Sequence, residues 1–460
     1  MKKYPLIAIV ILFSFLGLGE VEKIDPPLLQ ELHQSLQQDV HFQFARTVAA
    51  NAELSNLVVD PDRIHRMDSH FSHRIPGQKI TDQKSTGRCW MYAGLNILRA
   101  RAAKNLNAED IEFSENHLFF FDKLEKANLF LQAMEKYRDR DLDDRYVTFL
   151  LGSPVPDGGQ WVGMVELIKK YGVVPLKVMP QTYHSDHSRT TNRILARILR
   201  KAGLGIREEP DLQKRKELRL DTLKKVYKVL AVNLGIPPQS FTYRYLDRDG
   251  KIVQTREYTP QSFFTEVVDV DLDDFYALYS IPTRPYERLY QIDLDQAVYE
   301  RPSMRFVNLA IGELKKMARA SVLADQPVWF GCDVGEDSFK DRGVMVPDLY
   351  NYAAVYDLDL SMTRKESFQA RTNNPTHAMV FTGIDIQDDR VRKWLVENSW
   401  GKKFGNEGYY HMADGWFDRF VQVVVIHRDF ISPRILKIFE GRAQLLPPWD
   451  PMYRVVKMVR

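Results

Sequence analysis

The sequence is poor in cysteine: 460 residues contain only Cys89 and Cys332, 243 positions apart. Two cysteines exclude a disulfide framework and a four-cysteine zinc module. Neither charge sign dominates, with 64 Lys and Arg against 61 Asp and Glu and a net charge of +3. That near-neutral balance gives no compositional case for nucleic acid as the main partner. The 24 glycines and 23 prolines follow no repeat, which excludes collagen-like and low-complexity chains. There is no Walker loop, no GxSxG elbow and no dinucleotide fingerprint. Beyond the N-terminus no apolar run approaches the roughly 20 residues that cross a bilayer.

What remains is a soluble globular composition, 44% apolar and 27% charged. At roughly 100–200 residues per domain, this length implies two or three domains or one core with large insertions. Met1-Lys2-Lys3 is basic, Leu6 to Leu18 is almost wholly apolar, and Gly17-Leu18-Gly19 places small residues at a cleavage site. This pattern predicts a secretory signal peptide over residues 1–19, hence a secreted or periplasmic protein with no stable membrane anchor after cleavage.

Residues 20–74 read as a polar helical arm, with Leu28, Leu29, Leu32 and Leu36 at helical spacing. Helices are expected at Cys89–Ala103, Glu115–Lys136 and Trp161–Tyr171. Phe241–Tyr258 reads as a hairpin closed by Asp247-Arg248-Asp249-Gly250. An EF-hand at that turn fails, because Tyr245 and Arg256 stand where carboxylates are needed. Strands are expected from Val328 onward, including Val328–Val334, Ala378–Ile384, Trp394–Glu397, Gly408–His411 and Phe420–Ile426. Helices first and strands last make an α+β layout.

Cys89 follows a polar loop, Gln83 to Arg88, and opens an apolar helix. A helix N-terminus turns unpaired N–H groups and partial positive charge toward a thiol there, favouring the thiolate. Gln83, six residues upstream, can place a side-chain N–H beside that of the Cys89 backbone, and two such donors make an oxyanion hole. A thiolate needs an imidazole partner. His377 stands at the mouth of an apolar strand, and Asn398 comes 21 residues later in a Glu-Asn-Ser-Trp-Gly segment. An asparagine can hold the second ring nitrogen, and a tryptophan can shield that bond. Cys, His, Asn is the chain order of papain-like thiol peptidases.

At this point the chain resembles the bleomycin hydrolase and aminopeptidase C group of papain-like cysteine peptidases. Gln83–Trp90 (QKSTGRCW), Glu115–Asn128 (ENHLFFFDKLEKAN), Asp157–Trp161 (DGGQW) and Tyr171–Pro175 (YGVVP) carry the likeness. Pro327–Gly335 (PVWFGCDVG), His377–Gly383 (HAMVFTG), Val396–Met412 (VENSWGKKFGNEGYYHM) and Trp449–Met452 (WDPM) complete it in the family's order. The resemblance implies Cys89 as nucleophile, His377 as general base and acid, Asn398 as orienter and Gln83 as oxyanion donor. It implies peptide substrates and a homo-oligomer, six subunits in a barrel with the sites inside. Thiol chemistry of this kind calls for no metal and no organic cofactor. His377 lies 288 residues after Cys89, about 140–160 more than a minimal papain-like fold requires. The insertions are expected to be helical and to include an oligomerisation arm.

The organisation this implies is a helical lobe over 75–200, an inserted helical and hairpin region over 201–300, a β-rich lobe over 301–445, and a tail over 446–460 near the site. In the resembled family the terminal carboxylate sits in the cleft and meets the substrate's free amine, which makes the enzyme an aminopeptidase. Here Tyr453–Arg460 (YRVVKMVR) departs from the pattern, being basic, bulky and longer. A displaced tail would leave an endo- or dipeptidyl-acting peptidase. The family is mostly cytoplasmic, so the N-terminal segment is a second departure.

The other features point to structure. His65, His70 and His73 fit no common zinc spacing, and His184 and His187 read as loop residues. Cys332 and Phe119 to Phe121 read as core. The charged stretch 190–232, with Lys214, Arg215, Lys216, Arg219, Lys224, Lys225 and Lys228, reads as a solvated mixed-charge face. A nucleic-acid-binding oligomer is the rival it would serve.

Overall fold

The computed structural model describes residues 23–451 apart from Gln38, Val40 and Gln78. The expected signal segment and the tail Tyr453–Arg460 lie outside the described residues. Two compact units emerge. The smaller comprises residues up to Val59 together with Asn351–Leu360. Within it lie helices Pro26–Gln37 and Phe42–Asn51, neither of which buries a residue. The arm expected to run to residue 74 therefore gives way at Asp60, where the larger unit begins.

The larger unit (60–350 and 361–451) is a helical lobe against one twelve-stranded sheet. Its strands are β1 His73–Arg74, β4 Phe275–Tyr279, β5 Arg288–Ile292, β6 Arg305–Asn308, β7 Val328–Cys332, β8 Ser338–Phe339, β9 Val344–Met345, β10 His377–Gln387, β11 Arg390–Glu397, β12 Tyr409–Ala413, β13 Val421–His427 and β14 Gln444–Leu446. A separate hairpin pairs β2 Arg244–Leu246 with β3 Ile252–Gln254. The sheet order is β14-β5-β6-β4-β13-β7-β10-β11-β12-β9-β8, with β1 added on β10. Two expectations need correction. Strands β4 and β5 lie in the segment expected to be helical and hairpin, yet they join the main sheet, so no boundary falls at residue 300. The strand expected from Phe420 starts one residue later, after a helix, Asp414–Phe420, whose Trp416 and Phe417 are buried.

Strand alternation splits the interior into two cores. Along β10, Ala378 and Val380 face the helical lobe, while Met379 and Phe381 face the other layer. On β7, Trp329 joins the first and Val328, Phe330 and Cys332 the second. The ring of Phe330 stacks on that of Phe381 at 3.8 Å. Both faces of these strands are covered, which explains their near-continuous apolar runs.

The helix Cys89–Asn105 buries every residue from Cys89 to Asn96, and its charged side chains gather in the second half. Trp90, at its second position, donates its indole N–H to the Asp157 carbonyl and lies fully inside. A side chain on Gly159 would meet the Trp90 ring at 2.6 Å, so only glycine lets that turn close on the helix. The helices Arg189–Glu208 and Leu212–Leu234 pack against Glu115–Lys136. Arg215 and Arg219 both pair with Glu135, at 3.3 and 2.8 Å, and Lys225 pairs with Asp221 at 2.6 Å. Arg215 and Arg219 thus tie the insertion to the helix Glu115–Lys136, while Lys214, Lys216, Lys224 and Lys228 stay exposed.

Candidate active site

The sequence brings four residues from three distant segments to one cleft of about 670 Å³, lined by Gln83, Cys89, His377 and Trp400 among others. Asn398 stands directly behind it, buried, and bonded to His377.

Cys89 occupies the first position of its helix and is buried. Arg88 before it caps nothing with its side chain. The Met91 N–H goes to the Arg88 carbonyl at 2.9 Å, and the Cys89 and Trp90 N–H groups are the ones that act on the thiol. Burial pushes the Cys89 thiol up to about 12, while the backbone N–H groups of Ala378, Trp90 and Cys89 itself pull the other way. His377 opens β10 and is likewise buried. Burial drives its imidazole down to about 4; the bond to Asn398 resists this and the positive charge of Lys340 adds to it. Burial therefore disfavours the charged form of each group taken alone. A proton passed from the thiol to the imidazole creates both charges at once, as a pair.

His377 Nε2 lies 2.8 Å from Asn398 Oδ1. The amide oxygen must accept, so Nε2 carries the proton and Nδ1 is left for the thiol. Asn398 Oδ1 also accepts from the Ser399 backbone N–H at 2.7 Å, which fixes the amide plane. The Trp400 ring lies 4.5 Å from that of His377 and covers it.

Gln83 is fixed at both ends of its amide. Nε2 donates one hydrogen to the Thr86 carbonyl at 2.7 Å, and Oε1 accepts from Ser399 Oγ at 2.8 Å. The second Nε2 hydrogen remains for the cleft. The backbone N–H of Gln83 reaches the Ser399 carbonyl at 2.8 Å, and Asp82 bridges Trp400. Gly401 closes this junction at φ +75°, where a side chain would strike the Asp82 carboxylate at 2.8 Å. The Gln83 loop and the Asn398 loop are therefore stitched into one unit. Sequence reasoning did not find Ser399 as the link. Its signal was only its place beside Asn398.

The remaining candidates fall elsewhere. Cys332 is a buried free thiol at the end of β7, its sulfur 3.9 Å from the His377 carbonyl. His73 pairs with Asp325 at 3.1 Å, and His187 stacks on Tyr183 at 4.4 Å. Among the described residues no three His, Cys, Asp or Glu side chains gather as a metal would require, and no helix is long and apolar enough to cross a membrane.

A buried cysteine at a helix start, across a cleft from a histidine–asparagine pair at the ends of two antiparallel strands, defines a papain-like cysteine peptidase. Comparison with known proteins agrees. Residues 23–453 match the model of the Peptidase C1-like family, and the chain belongs to that family. Aminopeptidase C of Listeria innocua is 37% identical over 391 residues, covering 83% of this chain and 87% of that protein. Bleomycin hydrolase of Homo sapiens is 35% identical over 442 residues, covering 92% and 96%. The crystal structure of PepW from Lactobacillus rhamnosis superposes with a TM-score of 0.90 at 35% identity, covering 94% of this chain and 98% of that one.

Proposed function

We propose that this cysteine peptidase is a thiol aminopeptidase that removes N-terminal residues from peptides, with Cys89 as nucleophile, His377 as acid and base, Asn398 as orienter and Gln83 as oxyanion donor. The observation that carries the assignment is the 2.8 Å bond from His377 to Asn398 in the wall of the cleft that holds Cys89 and Gln83. His377 takes the Cys89 proton through Nδ1, and the thiolate attacks the peptide carbonyl carbon. The oxygen that gains charge is met by the free Gln83 Nε2 hydrogen and the Cys89 backbone N–H. His377 then protonates the leaving amine, and water activated by the same imidazole frees the acyl-enzyme. Asn398 keeps the ring turned toward the thiol throughout, under Trp400.

The relatives named Aminopeptidase C support exo-action at the amino end. Trp449 and Asp450 start the terminal segment from a fixed point. Trp449 lies between Tyr146, 4.7 Å away, and the Arg145 guanidinium, 4.5 Å away, and Asp450 pairs with Arg284. In reducing buffer, a free-amine aminoacyl amide is expected to turn over and its N-acetyl twin not, with Cys89→Ala silent on both. Faster cleavage of the acetylated twin would replace this reading with an endopeptidase.

The basic, apolar and small-residue succession over residues 1–19 supports export to the periplasm or medium. N-terminal sequencing of the protein from the culture's outer fractions is expected to begin after Gly19. A barrel of six subunits is the assembly proposed for the mature chain. Light scattering at about six times the chain mass would support it, and a monomer mass would reject it.

A further inference from the structure

One charged residue in the cleft has no part in the chemistry above. Lys340 follows β8, and its backbone is pinned: its carbonyl accepts from the Tyr410 hydroxyl at 3.1 Å, the Gly405 N–H at 3.2 Å and the Gly343 N–H at 3.3 Å. Its ammonium group lies 3.8 Å from the centre of the Phe404 ring and 4.9 Å from that of Trp400. The side chain is exposed and lines the same cleft as Cys89 and His377. Among the described residues it forms no ion pair, although the unit has many acidic side chains. Aromatic faces hold a cation in place without neutralising it. A positioned, unpaired cation facing a substrate cleft is a recognition element.

The position sets what it would recognise. Trp400 covers His377, and His377 is the group that delivers a proton to the leaving nitrogen. The residue attached to that nitrogen must therefore lie on the His377 and Trp400 side of the cleft, which is where the Lys340 ammonium stands. Resting on the peptidase reading above, we propose that Lys340 is a specificity-determining residue that binds a carboxylate on the first residue of the leaving peptide. The carboxylate has two sources. It is the side chain of an acidic residue after the cleaved bond, or the free C-terminus when the substrate is a dipeptide.

The test is steady-state kinetics on the whole mature protein with peptide amides that share one N-terminal residue and carry Glu, Gln or Lys second. A dipeptide ending in Gln, as free acid and as amide, forms the second arm. The wild type is expected to favour Glu over Gln by about two- to fivefold in kcat/KM, the size of one partly screened charge pair. Lys340→Met brings that ratio near one, and Lys340→Glu turns the preference toward Lys. A preference for the free acid over the amide identifies the terminal carboxylate as a ligand, and a preference confined to the Glu arm identifies the side chain. Each ratio is taken within one variant, so a change in His377 caused by losing a nearby charge cancels. A Glu-to-Gln ratio unchanged in both variants overturns the proposal. N-acetyl twins are run alongside. Turnover of the acetylated peptides alone defeats the aminopeptidase reading, while the same ratio still reports on Lys340.

Discussion

The two walls of the cleft hold their reactive groups by opposite means. The helical wall presents one reactive atom, Cys89 Sγ, at the start of a helix whose first two turns are wholly buried. Polar support lies underneath, where Asp157 accepts from the Gly87 N–H at 3.2 Å and from Asn192 at 2.6 Å, and also takes Lys123 at 2.7 Å and Ser188. The sheet wall presents its groups through strand register. His377 pairs with Cys332 across β10 and β7, and Asn398 follows directly on the end of β11. A helix end supplies field and donors to a thiol, whereas a strand edge supplies position to a ring. In the proposed mechanism neither wall does the chemistry alone, and the bond from Ser399 to Gln83 ties them together.

That interdependence is open to attack from either side. The largest effect is expected from Cys89→Ala or His377→Ala, each lowering kcat/KM by more than about 10⁴-fold, with the double variant scarcely worse, as for groups that act as a unit. Steady-state rates with active-site titration measure it. Losses that multiplied would show two independent walls.

Next in size is the support of the helical wall. Burial raises the Asp157 carboxyl, but Lys123, Ser188 and Asn192 outweigh that and hold it well below the usual carboxylate range. Asp157→Asn leaves Lys123 buried with its charge unmatched, a loss of about 3–5 kcal/mol. A group whose pKa falls on folding stabilises the native state above the ordinary carboxylate pKa, and that stability is lost as pH falls below it. Urea titrations of the wild type from pH 6 down to 2 are expected to show this loss, concentrated below the ordinary carboxylate pKa of 3.8, and the variant much less of it.

The sheet wall has the opposite sign. Burial pushes Glu397, the residue before Asn398, up to about 7, against the pull of Arg99 and of the Asn96 amide 2.8 Å away. Its stabilising protonated form is complete below pH 4.5 and is lost as pH rises through 7, worth about 3 kcal/mol across that window. Glu397→Gln is expected to be the more stable form at pH 8 and to flatten the slope. A denaturation midpoint that moves equally with pH in both would remove Glu397 as the cause. The smallest effect is at the seam: Ser399→Ala releases Gln83 Oε1, costing about 1 kcal/mol of transition-state stabilisation, about fivefold in kcat. A change in KM alone would mean that Gln83 is not being positioned.

Much of this site was legible in the chain. Cys89 stood out because a polar loop running into an apolar helix is a local pattern, and His377 and Asn398 because a polar residue interrupts or ends an apolar strand. The helices Glu115–Lys136 and Trp161–Tyr171 coincide with their sequence boundaries, since Ser114 caps the start of the first and Gly172, at φ +65°, stops the second. Strands β4 to β6 were missed, because short strands in a helix-rich stretch gain their stability from neighbours far along the chain. β4 pairs with β13, some 140 residues on. Lys340 was invisible for a related reason: it sits in a loop without a motif, and only Trp400 and Phe404, brought up from the other side of two long strands, give it a role.

The sequence by itself determined the proposed chemistry, because a thiol at a helix start, an imidazole, an amide and a second amide donor are residue types in local contexts. Tertiary structure alone decided their protonation and aim. The desolvation of Cys89 and His377, the tie from Ser399 to Gln83 and the open ammonium of Lys340 all depend on which distant segments exclude water from each other. That is a property of packing, and no local stretch of the chain encodes it.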